Sequence, residues 1–395
     1  MNIPKGFKQT DAGLIPDDWE VKKINEVCRL INGRGFKPYE WKSEGLPIIR
    51  IQNLNGSDEF NYYQGNYDRK IEVEDEQLLF AWSGSKGTSF GPHIWKGSLG
   101  LLNYHTWKVV VREREIVPSF FLHALEELTK IIEKKAHGCS ALVHTQKWEM
   151  EGLTFSLPPT KAEQTAIAAA LSDMDALIEG VEKLLEKKRC IKQGAMQELL
   201  KPKDGWKVKA LAEIGDIITG GTPSTLIKEY WNGEIPWVTP TDITTKKEIY
   251  HTERALTSKG LSAIRKLPKN TLLVTCIASI GKNVILRSPG SCNQQINAII
   301  PYSNFNIEFL YYLIEINKNI LLEYAGITAT LILSKKEFSG LEFAFPKTKN
   351  EQDAIAASLS DMDAEIEQLE TQRTKYRQLK TGMMQDLLTG KKRLV

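Results

Sequence analysis

EQTAIAAALSDMDALIE, at residues 163–179, returns as EQDAIAASLSDMDAEIE at residues 351–367, with fourteen of seventeen positions identical and an offset of 351 − 163 = 188. In a chain of 395 residues that offset is close to half the length, so the protein is written twice. In the first copy Ile167, Leu171, Met174, Ile178, Val181 and Leu185 are spaced alternately by four and three, the apolar seam of a helix that packs lengthwise on another helix. The second copy repeats the seam with Ile355, Leu359, Met362, Ile366 and Leu369. Neither seam has a partner within its own segment, which predicts that the two helices pair with each other.

The repeat reaches beyond the helices. Trp19 in the opening IPDDWEV matches Trp206 in DGWKV, and each copy then runs into a glycine-rich loop, NGRG at residues 32–35 and GGTP at residues 220–223. LPIIRIQNL (46–54) matches IPWVTPTDI (235–243), EQLLFAWSGSKG (76–87) matches NTLLVTCIASIGK (270–282), and GLLNYHTWKVVV (100–111) matches GSCNQQINAIIP (290–301). These runs read as buried strands that deliver polar residues at their ends. A helix follows in each copy, and Pro158 and Pro346 close the last strand before the long helix. The expected boundaries are a globular unit at 1–158, a long helix at 159–201, a second globular unit at 202–346 and a second long helix at 347–395. The fold class is α+β, with two repeated mixed α/β units joined by two long antiparallel helices about an approximate two-fold axis.

Composition narrows the function classes. Hydrophobic residues make up 42% and charged residues 26%, as in ordinary globular proteins, and a net charge of +3 gives no global field toward nucleic acid. Five cysteines (Cys28, Cys139, Cys190, Cys276, Cys292) are odd in number, widely spaced and without a CxxC pair, which fits reduced thiols. With neither a signal-peptide core nor an apolar run near eighteen residues, the expectation is a cytoplasmic chain with no membrane span.

Catalytic look-alikes fail on inspection. Pro16-Asp17 with Glu20-Val21-Lys22 imitates a nuclease metal site, but the repeat puts Lys207 where the carboxylate stands. Ser83-Gly84-Ser85-Lys86 matches SxxK without its companion motifs. The histidines at 93, 105, 123, 137, 144 and 251 show no ligand spacing, and neither a P-loop nor a dinucleotide fingerprint occurs. The chain is expected to be non-catalytic, with no metal.

Two similar units on a helical pair suit the reading of two half-sites of a duplex at fixed separation, because a helix of about 40 residues is roughly 60 Å long. The units differ at their polar positions, which predicts two different half-sites. At this point the chain resembles the specificity subunits of type I restriction-modification enzymes. The resemblance rests on IPDDWE and DGWKV, TGGTPS, the NQQ after Cys292, the EQxAIAxxLSDMDAxI repeats, and the helix ends GAMQELL at Gly194 and GMMQDLL at Gly382. It implies that the globular units are target recognition domains and the helices an antiparallel spacer. It also implies double-stranded DNA, two methyltransferase subunits and restriction subunits as partners, with S-adenosylmethionine, ATP and magnesium used on those partners and no cofactor on this chain. The first unit departs from the pattern, carrying Asn103-Tyr104-His105 where the second has Asn293-Gln294-Gln295. A non-catalytic coiled-coil scaffold for protein interactions is the other reading.

Base readout is expected from Arg34, Arg50, Gln52, Asn53, Ser83, Lys86, Tyr104 and His105 in the first unit. In the second it is expected from Thr222, Thr239, Thr241, Asp242, Ser279, Lys282, Gln294 and Gln295, polar residues on loops and strand ends. Beyond the shared seam, apolar positions including Met196, Leu199, Met384 and Leu387 recur where the seam turns charged at Lys188, Lys192 and Lys380. They are expected to face partner subunits rather than the other helix.

Overall fold

Strands buried along their whole length form the centre of each half of the molecule, which a computed structural model describes for residues 3–135, 142–327 and 331–394. His137 and Cys139 lie outside the described residues. The chain divides into two units, Met1–Val181 with Gln372–Val395, and Glu182–Thr371. The long helices, Lys161–Leu199 and Lys349–Leu387, are each shared between the two.

Unit 1 contains β1 (Cys28–Asn32), β2 (Leu46–Ile49), β3 (Asn61–Tyr63), β4 (Glu72–Val73), β5 (Leu78–Ala81), β6 (Gly91–Ile94), β7 (Gly100–Leu102), β8 (Thr106–Val111) and helix α1 (Pro118–Lys135). One four-stranded sheet runs β6-β5-β8-β1 and the other β3-β2-β7-β4. Pairing in both is antiparallel except for β2 with β7, which run parallel with Ile49 opposite Leu102. Leu78, Leu79, Phe80 and Ala81 are all buried, the pattern of a strand covered on both faces, so β5 reads as an unbroken apolar run. The core joins Trp19, Phe80, Trp107, Phe120 and Phe121 to Ile167, Ala168 and Leu171 of the first long helix and to Met384, Leu387 and Leu388 near the end of the second.

Unit 2 contains β9 (Gly215–Thr219), β10 (Trp231–Val238), β11 (Glu248–Ile249), β12 (Ala255–Leu256), β13 (Thr271–Thr275), β14 (Asn283–Leu286), β15 (Ser291–Cys292), β16 (Ile296–Pro301) and helix α2 (Ile307–Ile316). A five-stranded sheet runs β9-β16-β13-β14-β11, and a three-stranded sheet runs β12-β10-β15. Here two pairs run parallel, β10 with β15, where Val238 stands opposite Cys292, and β11 with β14. The core gathers Leu272, Phe309, Tyr312 and Phe345 with Met196 and Leu200 of the first long helix and Ile355, Ala356 and Leu359 of the second.

The repeated Glu-Gln pair now has a physical reason. Gln164 and Gln352 are both buried, and each Oε1 accepts a backbone N–H just ahead of the unit's own helix, from Val117 at 2.8 Å and from Asn306 at 2.9 Å. A buried amide is tolerated only when bonded in this way. Glu163 accepts from Arg393 Nη2 at 2.8 Å, and Glu351 from Trp206 Nε1 at 3.0 Å.

The expectation that the apolar residues at the helix ends face partner subunits is corrected, and the lysines that interrupt the seam bridge the two helices. In unit 1 Lys380 Nζ lies 2.7 Å from Asp175 and 2.9 Å from Glu126, and in unit 2 Lys192 pairs with Asp363. The two pairs are copies of one another, since 192 + 188 = 380 and 175 + 188 = 363. Lys188 and Arg189 likewise reach Glu365 and Glu370, each at 2.5 Å. Because lysines close the helix pair, the neighbouring apolar residues turn into the globular units. Met196, Met384 and Leu387 are buried in the chain's own cores and Leu199 packs against one, so these four do not form an outward patch.

Candidate nucleic-acid interface

Each unit builds the same junction where its strands end. In unit 1 the chain leaves β1 through Gly33, Arg34 N–H donates to Leu102 O at 2.9 Å, and Asn103 N–H donates to Ile49 O at 3.0 Å. In unit 2 the chain leaves β9 through Gly220, Gly221 N–H donates to Cys292 O at 2.8 Å, and Asn293 N–H donates to Val238 O at 2.9 Å. A Cβ on Gly33 would stand 2.0 Å from Asn103 O, and one on Gly220 would stand 2.2 Å from Asn293 O. The glycines are therefore required by the close crossing of two chain segments.

The junction of unit 1 brings Arg34, Arg50, Tyr104 and His105 to one set of strand ends. The Arg34 guanidinium lies over Phe36 and Tyr63, 4.9 and 4.7 Å from the ring centres, and is paired with Glu40. Arg50 lies 5.2 Å over Trp41. The rings of Tyr104 and His105 are 3.8 Å apart, and Trp82 Nε1 donates to Tyr104 O at 2.9 Å, which fixes that turn. Burial, and then the nearby His144, hold the His105 imidazole below its ordinary value, so at neutral pH it offers one donor and one acceptor. Gln52 is exposed, its Nε2 3.3 Å from Glu59 O.

Two residues of the expected set serve other ends. Asn53 Oδ1 accepts from Arg50 N–H at 3.1 Å while Nδ2 donates to Ser57 O and Glu59 O, so its polar atoms brace a turn. Ser83 is buried in a strand paired with Leu142–His144, and Lys86 stands exposed on the turn that follows.

In unit 2 Asp242 repeats the role of Asn53. Its Oδ2 accepts from Thr239 N–H at 2.8 Å and its Oδ1 from Glu253 N–H at 3.0 Å. Thr222 Oγ1 donates to Gln294 Oε1 at 2.7 Å, tying the glycine loop to the turn before β16. Asn293 Nδ2 donates to Gln295 Oε1 at 3.0 Å, and the Gln295 Nε2 group has no partner among the described residues. Thr239, Thr241, Asp242 and Gln295 line one concavity of about 440 Å³, together with Arg254. Ser279 and Lys282 sit on the turn beyond β13 and do not line it.

Sequence reasoning missed Arg254. It stacks 3.9 Å over Trp231 and 5.1 Å from Trp237, whose rings meet edge to face at 5.0 Å. Comparison of the copies gives no signal for it: Trp237 aligns with Ile48, and the residue before β3, the strand equivalent to β12, is Phe60.

Among the described residues, one group of possible metal ligands comes together, His123, Glu126 and Asp175. Lys380 Nζ lies against Glu126 and Asp175, so these residues form an ion-pair network with it. Glu20 of the nuclease-like fragment pairs with Lys22 at 2.9 Å inside a strand bound to Thr154–Leu157. Burial pushes the Cys28 thiol up to about 12, Cys276 to about 11 and Cys292 to about 12, which makes them unreactive. No helix among the described residues is long and apolar enough to cross a membrane.

Comparison with known proteins places this geometry. Residues 16–187 and 203–376 each match the sequence profile of the type I restriction modification DNA specificity domain. The MjaIX specificity subunit of Methanocaldococcus jannaschii is 38% identical over 172 residues, 42% of this chain and 39% of that relative. The HindI specificity subunit of Haemophilus influenzae is 28% identical over 222 residues, 54% of this chain and 48% of that relative. The matched stretches thus span less than half the length of these two curated relatives. In fold, the chain is similar to the crystal structure of a type I restriction-modification S subunit from M. genitalium, at a TM-score of 0.63 and 14% identity, covering 98% of both chains.

Proposed function

Because the chain belongs to the type I restriction modification DNA specificity family, we propose that it reads a bipartite, asymmetric duplex sequence, one half-site with each unit, as the non-catalytic specificity subunit of such a system. The observation that carries this is the junction built twice, with the same backbone crossing at Gly33 and Gly220 and different side chains around it. Base edges are read by side chains held on such a frame, and a changed set of donors and acceptors reads a changed sequence. Residues 1–158 and 202–346 serve as the recognition domains, and 159–201 with 347–395 as the spacer. Arg34, Arg50, Gln52, Tyr104 and His105 read the first half-site. Thr222, Thr239, Thr241, Gln294 and Gln295 read the second, with Lys86, Ser279 and Lys282 on flanking turns.

In this reading two methyltransferase subunits and restriction subunits assemble on the chain in the cytoplasm and use S-adenosylmethionine, ATP and magnesium themselves. Their docking surface lies on the helical spacer outside the buried Met196, Leu199, Met384 and Leu387. The test is to bind the full chain with its methyltransferase partner to random duplexes and sequence what is retained. Two unlike blocks at a fixed gap are expected. Retention independent of sequence would favour a protein-interaction scaffold and overturn the reading.

A further inference from the structure

Arg254 differs from Arg34 and Arg50 in lying against two tryptophans, and among the described residues its guanidinium donors are unspent. Trp231 and Trp237 both lie against it, and both tryptophans are themselves tied down, Trp231 Nε1 donating to Ser224 O at 3.1 Å and Trp237 Nε1 to Gly221 O at 2.9 Å. The stack therefore links the arginine to the glycine-rich loop of unit 2. Among the described residues no hydrogen bond or ion pair engages the Arg254 guanidinium, whereas Arg34 is paired with Glu40. A stacked guanidinium loses little further freedom when its planar fork of N–H groups meets two acceptors.

Within the reading of the chain as a DNA specificity subunit, on which this inference rests, we propose that Arg254 determines one base pair of the second half-site by donating two hydrogen bonds to O6 and N7 of a guanine in the major groove. Two acceptors on one base edge match the fork, and this pairing is a common specific contact to DNA. A backbone phosphate fits the place less well. The concavity that Arg254 lines is also lined by Asp242 and Glu253, whose negative charges repel a phosphate, and by Gln295, whose Nε2 suits a base edge. The arginine thus selects a guanine, and the Gln295 Nε2 group, unbonded among the described residues, lines the same concavity for a neighbouring base.

The test is made on the full chain with its methyltransferase partner, using Arg254→Lys and Arg254→Gln and selection from random duplexes at two salt concentrations. Both variants are expected to lower the preference for guanine at one position of one half-site by roughly tenfold to a hundredfold, with the other half-site unchanged. A phosphate contact would give a different pattern: little change for Arg254→Lys, and for Arg254→Gln an even weakening over all sequences with a salt slope shallower by about one. That result, or unaltered preference in both variants, overturns the assignment. Loss of preference at both half-sites also overturns it, because Arg254 would then hold the structure instead of reading a base. A wild-type chain that enriches no sequence would refute the DNA-reading function itself, a failure seen before any variant is made.

Discussion

Arg34 in unit 1 and Arg254 in unit 2 both lie on aromatic rings beside a glycine-rich loop, yet the first is neutralised by Glu40 and the second has no ion pair among the described residues. They reach that place by different routes, Arg34 from within the loop after β1 and Arg254 from the segment before β12. Beneath them the backbone is the same, down to the bonds that Asn103 and Asn293 make to the parallel neighbouring strand. A duplicated frame thus constrains the crossing and leaves the side chains on it free to diverge.

The comparison breaks most visibly if the frame is attacked. Gly33→Val and Gly220→Val each drive a side chain into a carbonyl oxygen and are expected to destabilise their own unit by about 3 kcal/mol. Denaturant unfolding followed separately in each unit should show similar losses, and tolerance of one substitution would mean that the two junctions are not equivalent.

Next in size are the paired lysines. Lys380→Met takes the ammonium from Asp175 and leaves Glu126 with His123 alone, and Lys192→Met takes it from Asp363. Losses of about 1–3 kcal/mol are expected, the larger for Lys380, which serves two carboxylates. Burial pushes the Glu126 carboxyl upward, but its hydrogen bond to His123 and the charge of Lys380 outweigh this and leave it below the ordinary 4.5. Its contribution is therefore full above pH 4.5 and fades as the pH falls through the depressed value, so the gap between wild type and Lys380→Met should narrow there. A gap that widened on acidification would contradict the pairing.

Smaller effects sharpen the comparison. Asn53→Ala and Asp242→Ala each remove a side-chain brace from the same turn and should cost about 1 kcal/mol, measurable by thermal melting. The smallest effect concerns His105. Since its imidazole titrates below the ordinary 6.5, base preference at the first half-site should stay level from neutral pH down to 6.5. A preference already changing above that value would show a different titrating group.

The repeat made the large organisation legible: helices expected at 159–201 and 347–395 are observed at Lys161–Leu199 and Lys349–Leu387, and the aligned runs form equivalent strands. Gly33 and Gly220 could be located but not explained, because a crossing involves residues some seventy positions away. The four apolar residues at the helix ends were misplaced because periodicity shows that a seam changes character, not what the new residues meet. Lys192 and Asp363 both recur at an offset of 188, and that double recurrence was the overlooked sign that they pair. Arg254 was hidden for the opposite reason, since the first copy carries Phe60 ahead of the equivalent strand and offers no matching arginine.

The division of the chain also fixes an order of assembly on the ribosome. Unit 2 is one continuous stretch, complete when Thr371 emerges, whereas unit 1 is interrupted by it and needs Gln372–Val395. Until then Ile167, Ala168 and Leu171 lack the cover of Met384, Leu387 and Leu388. Synthesis of the intervening 371 − 181 = 190 residues at about 5–20 residues per second takes roughly 10–40 s. For that interval the nascent chain carries an unfinished apolar face, a window open to chaperones and to misassembly, and the half begun first is the half completed last.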